Sequence, residues 1–251
     1  DGDIDLFIGT RVNPLNYGIP CDQYILINDG KGTFQDATAA YAPGLRKLGM
    51  VTDATWSDID GNGYPDLIVV GEWMPITIFS NDGRSLSRID TTSAFQGSEG
   101  WWNRIHGADI DGDGDLDFVL GNLGSNSRFK PSPTNPVKLY VNDFDQNGSS
   151  EPIFTYSNSG NEYPMALRQD LLRQMSSLKK KFIFSKDYAG RRLDEVFDED
   201  LLGNAVSLQF RHPLTSVLVN EGNFNFTLSA LPEEAQVSPV YGIETMDINQ
   251  D

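Results

Sequence analysis

Asp58-Ile59-Asp60-Gly61-Asn62-Gly63-Tyr64-Pro65-Asp66 decides how this chain is read, because the sequence repeats its pattern. Asp109-Ile110-Asp111-Gly112-Asp113-Gly114-Asp115-Leu116-Asp117 is a second copy, and Asp143-Phe144-Asp145-Gln146-Asn147-Gly148-Ser149-Ser150-Glu151 is a third. Each copy places oxygen-bearing side chains at positions 1, 3, 5 and 9 and glycine at position 6. Alternate residues of such a tight loop can point inward together, and the glycine permits the positive φ that turns the chain back. Incomplete copies lie at both ends: Asp1-Gly2-Asp3-Ile4-Asp5 matches positions 5 to 9, and Asp247-Ile248-Asn249-Gln250-Asp251 matches positions 1 to 5. The chain is therefore expected to begin and end inside a repeat, as a piece of something longer.

This spacing suits calcium, a hard cation that takes six to eight oxygens at about 2.3–2.6 Å. The candidate ligands are Asp58, Asp60, Asn62, Tyr64 and Asp66 in the first loop and Asp109, Asp111, Asp113, Asp115 and Asp117 in the second. The third loop offers Asp143, Asp145, Asn147, Ser149 and Glu151, and the partial loops offer Asp1, Asp3, Asp5, Asp247, Asn249 and Asp251. Tyr64, Asp115 and Ser149 stand at position 7, where a backbone carbonyl is the ligand and the side chain is free to vary. An Asp/Gly turn without metal is the plain alternative for one copy. Three filled copies argue against it, since carboxylates gathered without a cation repel one another.

An EF-hand uses a similar loop but ends on a bidentate Glu at position 12 and continues into a helix. Position 12 here is Val69, Leu120 or Phe154, none of them a calcium ligand. The residues that follow are strand-like: Leu67-Ile68-Val69-Val70, Phe118-Val119-Leu120 and Ile153-Phe154-Thr155-Tyr156. The loop is therefore expected to join two strands. A second repeated element reads strand, glycine turn, strand: Tyr24–Gly30 into Thr33-Phe34-Gln35, Ile76–Gly83 into Leu86–Ile89, and Ser216–Gly222 into Phe224–Leu228. Together they make about four strands in roughly 50 residues, the dimension of a propeller blade.

These units resemble the FG-GAP/VCBS repeats of integrin-α-like β-propellers, most closely at Trp56-Ser57-Asp58 through Val70-Gly71 and at His106-Gly107-Ala108-Asp109 through Leu120-Gly121. The style is also similar to that of bacterial proteins related to cartilage acidic protein. The resemblance implies an all-β fold of four-stranded antiparallel β-propeller blades with calcium-binding loops, the calcium being structural. It implies no catalytic residues, because the repeat family shares none. Blades are expected at approximately 1–50, 51–100, 101–140 and 141–235, with a further one starting at 236–251. The loop starts at 109 and 143 lie too close for an ordinary blade, so Lys138 to Asp143 is expected to serve two blades at once.

A helical insertion is expected at approximately 160–203. Leu167, Leu171, Met175, Leu178 and Phe182 recur at helical steps, and a second short helix covers Leu193 to Leu202. From Arg168 to Arg192 there are eight bases against two acids. Two readings stay open: a docking surface for an acidic partner, or a packed helix with ordinary solvated bases that Asp194, Glu195, Asp198, Glu199 and Asp200 neutralise. Propeller blades satisfy their own strand pairing, so the insertion is expected to be removable.

Composition narrows the function. With 36 acidic and 19 basic residues the net charge is −17, which repels phosphate backbones and makes nucleic acid a poor partner. Cys21 is the one cysteine, excluding an internal disulfide and any thiolate cluster. No apolar run reaches the roughly 18 residues of a membrane span. Trp101, Trp102 and Trp73 are read either as core or as platforms for sugar rings, core being favoured. His106 and His212 sit in no metal or nucleophile motif, and no nucleotide loop, metalloprotease helix or Gly-x-Ser-x-Gly elbow is present. The expectation is a secreted, cell-surface or periplasmic module that binds a protein or glycan, because millimolar calcium outside the cytosol saturates weak sites. A calcium-dependent polysaccharide lyase and a purely structural scaffold are the alternatives.

Overall fold

The computed structural model describes residues 2–89 and 95–249. The chain divides into two compact units, one made of Asp1–Arg11, Pro20–Arg128 and His212–Asp251, the other of Val12–Ile19 and Phe129–Arg211. Every sheet in them is antiparallel, which is the all-β, propeller-like character that the repeats imply.

Three sheets make up the first unit. β1 (Leu6–Ile8), β2 (Tyr24–Asn28) and β3 (Phe34–Asp36) form a meander. β4 (Met50–Ser57), β5 (Asp66–Met74), β6 (Thr77–Asn81) and β7 (Leu86–Arg88) form a four-stranded sheet, with the short β8 (Gly100–Trp101) also paired to β5. The third sheet pairs β9 (Arg104–Ala108), β10 (Asp117–Gly121), β15 (Ser216–Asn220) and β16 (Phe226–Ala230) in that order.

β5 shows why these sheets stack. Its side chains alternate between faces, yet all nine residues are buried, so both faces meet apolar layers. Leu67 and Val69 join Ile25, Leu45, Val51 and Phe79, between the first and second sheets. Ile68 and Val70 join Ile78, Trp102, Ile105, Phe118 and Leu218, between the second and third. Gly71 lets the strands close up there: a Cβ at this position would strike the Met50 carbonyl.

Strand pairing departs from the expected blade boundaries in the second half. β10 pairs with β15 in the register Phe118↔Leu218, so the Ser216–Leu228 hairpin completes the third sheet and not a fourth blade at 141–235. The fourth sheet lies wholly between β10 and β15 in sequence. It contains β11 (Val137–Asn142), β12 (Glu151–Asn158), β13 (Asn161–Pro164) and β14 (Val206–Phe210), ordered β13-β12-β11-β14. β11 has β12 and β14 on its two sides, so Lys138–Asp143 serves this sheet alone and not two blades. The close loop spacing thus marks one sheet nested within the connection of another. No strand forms over 237–249, where the start of another blade was expected.

The insertion is less regular than its periodicity suggests. The first unit holds the short α1 (Thr38–Tyr41); in the insertion, α2 (Arg168–Gln174) is followed by a 3-10 turn at Ser176–Lys179, then α3 (Ser185–Tyr188), α4 (Leu193–Val196) and α5 (Glu199–Gly203). Leu171, Met175 and Phe182 are buried with Leu193, Val196 and Phe197 against Phe144 of the third loop and Ile153 of the fourth sheet. Leu178 is partly buried, whereas Leu167, the residue before the helix, is 72% exposed. The segment therefore covers this sheet, its apolar side chains sharing one core with it. Its bases also hold it together: Arg168 donates to the Phe182 and Ile183 carbonyls, Lys181 to that of Val196, and Arg191 and Arg192 pair with Glu195 and Asp194.

Candidate metal centres

Each complete loop leaves one strand and enters the next: 58–65 between β4 and β5, 109–116 between β9 and β10, and 143–150 between β11 and β12. Position 6 adopts positive φ in all three, at 87° for Gly63, 98° for Gly114 and 89° for Gly148. An L side chain there would be strained, which is why glycine recurs.

Hydrogen bonds shape the loops from within. In the first, Asp58 accepts from the backbone N–H groups of Asn62 (3.1 Å) and Gly63 (2.9 Å), and Asn62 Oδ1 accepts from Tyr64 N–H (2.8 Å). In the third, Asp143 accepts likewise from Asn147 and Gly148, and Asn147 from Ser149. The second differs slightly: Asp109 accepts from Gly112 N–H, and Asp113 from Asp115 N–H.

Three carboxylates meet in each loop, with one oxygen per residue within 4.8 Å of the others: Asp58, Asp60 and Asp66; Asp109, Asp111 and Asp117; Asp143, Asp145 and Glu151. All donors are hard oxygens, the set that calcium takes. Oδ1 of Asp115 and Oδ1 of Asp145 are buried without a hydrogen-bond partner. A cation would satisfy such atoms, so the residues present fit the ion. In the partial loop, Asp3 Oδ1 is buried and unpartnered in the same way. Asp247 and Asn249 are exposed, and Asp1 and Asp251 lie outside the described residues.

Position 9 opens the outgoing strand and is buried: Asp66 and Asp117 are fully so, Glu151 nearly so. Burial pushes the Asp66 and Glu151 carboxyls up, against the lowering effect of their backbone hydrogen bonds. Asp115 is pushed up too, by burial first and then by the charges of Asp113, Asp117 and Asp111. A divalent cation would favour the ionised forms instead.

Sequence reasoning missed one recurrent partner, an asparagine at the end of the hairpin strand. The N–H groups of Asn28, Asn81 and Asn220 donate to the carboxylates of Asp5, Asp66 and Asp117 at 2.8, 2.7 and 2.8 Å. Their side-chain amides donate to the position 8 carbonyls of Ile4, Pro65 and Leu116, and their Oδ1 atoms accept from the turn glycines 32, 83 and 222. One residue type thus fastens loop, strand and hairpin turn together. Asp5 therefore occupies the place of position 9. The signal was available, since all three asparagines precede a glycine turn in the repeated hairpins.

Other residues singled out in the sequence do not gather here. Trp102 is fully buried, donates Nε1–H to the Ser98 carbonyl and stacks on His212 at 5.3 Å. Trp73 is 3% exposed and tilts against Trp101, with ring centroids 5.3 Å apart. His106 lies on β9 within 3.1 Å of the Thr245 hydroxyl, and Cys21 is a buried thiol.

One cluster of polar groups was not visible by spacing. Lys138 pairs with Glu162, which also accepts from the Tyr140 hydroxyl at 2.7 Å. Tyr140 and Glu162 share a cleft of about 250 Å³ with Arg192. Burial works to lower the Lys138 ammonium, but the bond to Glu162 and its charge outweigh it and the pKa is raised. Burial and Glu162 also raise the Tyr140 hydroxyl.

No helix among the described residues is long and apolar enough to cross a membrane. No curated protein matches the chain. The FG-GAP-like repeat family matches residues 1–69 and again 58–120. The first match runs from the partial loop through the Asp58 loop, and the second from that loop through the Asp109 loop and β10. Residues 1–120 therefore carry FG-GAP-like repeats.

Proposed function

We propose that this chain is a calcium-stabilised extracellular scaffold whose exposed surfaces bind a protein or glycan, without catalysis. The observation that carries the reading is the threefold recurrence of one loop, each gathering three carboxylates of which the one at position 9 is buried. Those buried groups tie the loops to the sheets, so an ion there supports strand pairing. FG-GAP repeats occur in integrin-like and other extracellular adhesion or binding modules, which supports both the location and the role.

Thermal melting tests it. A ligand held only by the folded state stabilises by RT ln(1 + [L]/Kd), about 2.7 kcal/mol at a hundredfold excess over Kd. Millimolar calcium is expected to raise the melting temperature and a chelator to lower it, with magnesium substituting poorly because it demands tighter octahedral geometry. Identical melting curves in calcium and chelator would remove the metal from the account. A lyase instead releases unsaturated sugar from polygalacturonate or rhamnogalacturonan, seen as absorbance at about 235 nm, and sustained release would replace the scaffold reading.

A further inference from the structure

We propose that the open end of the apolar layer between the first and second sheets is a binding cleft for a neutral saccharide. The proposal rests on the binding-module reading and narrows it to one place and one ligand class. The cleft measures about 390 Å³, within the range of small-molecule sites (about 300–1,000 Å³). Trp56 of β4, Tyr64 of the first loop and Tyr41 line it, at 42%, 49% and 44% exposure. Leu67 and Phe79 of this layer, by contrast, are fully buried.

These rings leave unused hydrogen-bonding capacity in the cleft. Among the described residues, Trp56 Nε1–H, the two tyrosine hydroxyls and the Arg84 guanidinium have no hydrogen-bond partner, and Arg84 also lines the cleft. Asp5, the position 9 residue of the partial loop, also lines the wall; one of its oxygens accepts from Asn28 N–H, and the acceptor it offers a ligand is a lone pair beyond any calcium contact. Flat aromatic faces beside both donors and an acceptor match a pyranose ring, whose C–H face stacks while each hydroxyl donates and accepts. A proline-rich peptide also fits aromatic grooves, but it offers few donors for Asp5. The net charge of −17 and the presence of Asp5 in the same cleft as Arg84 disfavour an anionic sugar.

Tyr64 is built into position. Gly83 has φ +77°, and a Cβ there would come within 2.5 Å of the Tyr64 ring. Tyr64 N–H is also held by Asn62 of the metal loop.

Titrating the chain with maltotetraose, cellotetraose and lactose, read by tryptophan fluorescence and calorimetry, tests the proposal. At least one is expected to bind saturably, to weaken about tenfold or more in Trp56→Ala and in Tyr64→Ala, and to be retained in Trp56→Phe. No saturable binding by any of the three would overturn it. So would binding unchanged by Trp56→Ala, or a polyproline peptide or oligogalacturonate bound in preference. Melting the same samples in calcium and chelator keeps the two readings apart, because a flat calcium response sinks the metal reading alone.

Discussion

Asp66 and Asp111 are both loop carboxylates, yet the fold uses them differently. Asp66 is buried and accepts from Ile59 N–H at 2.9 Å and Asn81 N–H at 2.7 Å, so it is a structural member of the sheet with or without metal. Asp111 is exposed and accepts one long bond, 3.3 Å, from Asp113. Asp66→Ala leaves two backbone donors unpaired, each costing about 1–3 kcal/mol. It is expected to destabilise the chain even in chelator, whereas Asp111→Ala is expected to shrink only the calcium-induced gain. Urea unfolding in both conditions separates them, and an equal loss in chelator for the two variants would refute the distinction. Positions 1, 3, 5 and 9 were legible because they are adjacent in sequence. The asparagine clamp was not, because Asn220 reaches Asp117 across 103 residues.

At the scale of elements, strands and hairpins were legible and helix limits were not. Alternating apolar residues and glycine turns marked β2–β3, β6–β7 and β15–β16, since those signals are local. The helical spacing of Leu171, Met175 and Phe182 identified residues that share a core. It extended that face to Leu167, where the helix has not begun, and through Met175, where ψ of 94° ends α2. The insertion also proved to be the cover of Phe144 and Ile153, which no periodicity announces. Met175→Ala is expected to cost about 2–5 kcal/mol, as for other fully buried large-to-small changes. Replacing residues 160–203 by a glycine-serine loop is expected to abolish cooperative melting of the second unit. A variant that kept a sharp transition there, followed by near-ultraviolet circular dichroism, would restore the removable insertion.

Across the whole chain, the strand-like runs, the repeated hairpins and the family resemblance led to the all-β class, while the order of sheets escaped them. A loop interval of 34 residues signals that a sheet is nested, but only the pairing of Phe118 with Leu218 shows which hairpin closes which sheet. An acidic chain of net charge −17 gathers three carboxylates at each of three strand ends, where each cluster opposes folding unless a cation compensates it. That compensation is the central claim. Equilibrium dialysis of the chelator-stripped chain against calcium counts the sites directly. At least three calcium ions per chain are expected, with dissociation constants near the 10⁻⁴–10⁻³ M range of extracellular modules and one ion fewer in Asp111→Ala. A chain that retains no calcium at millimolar concentration, or an Asp111→Ala variant with an undiminished count, would contradict the account.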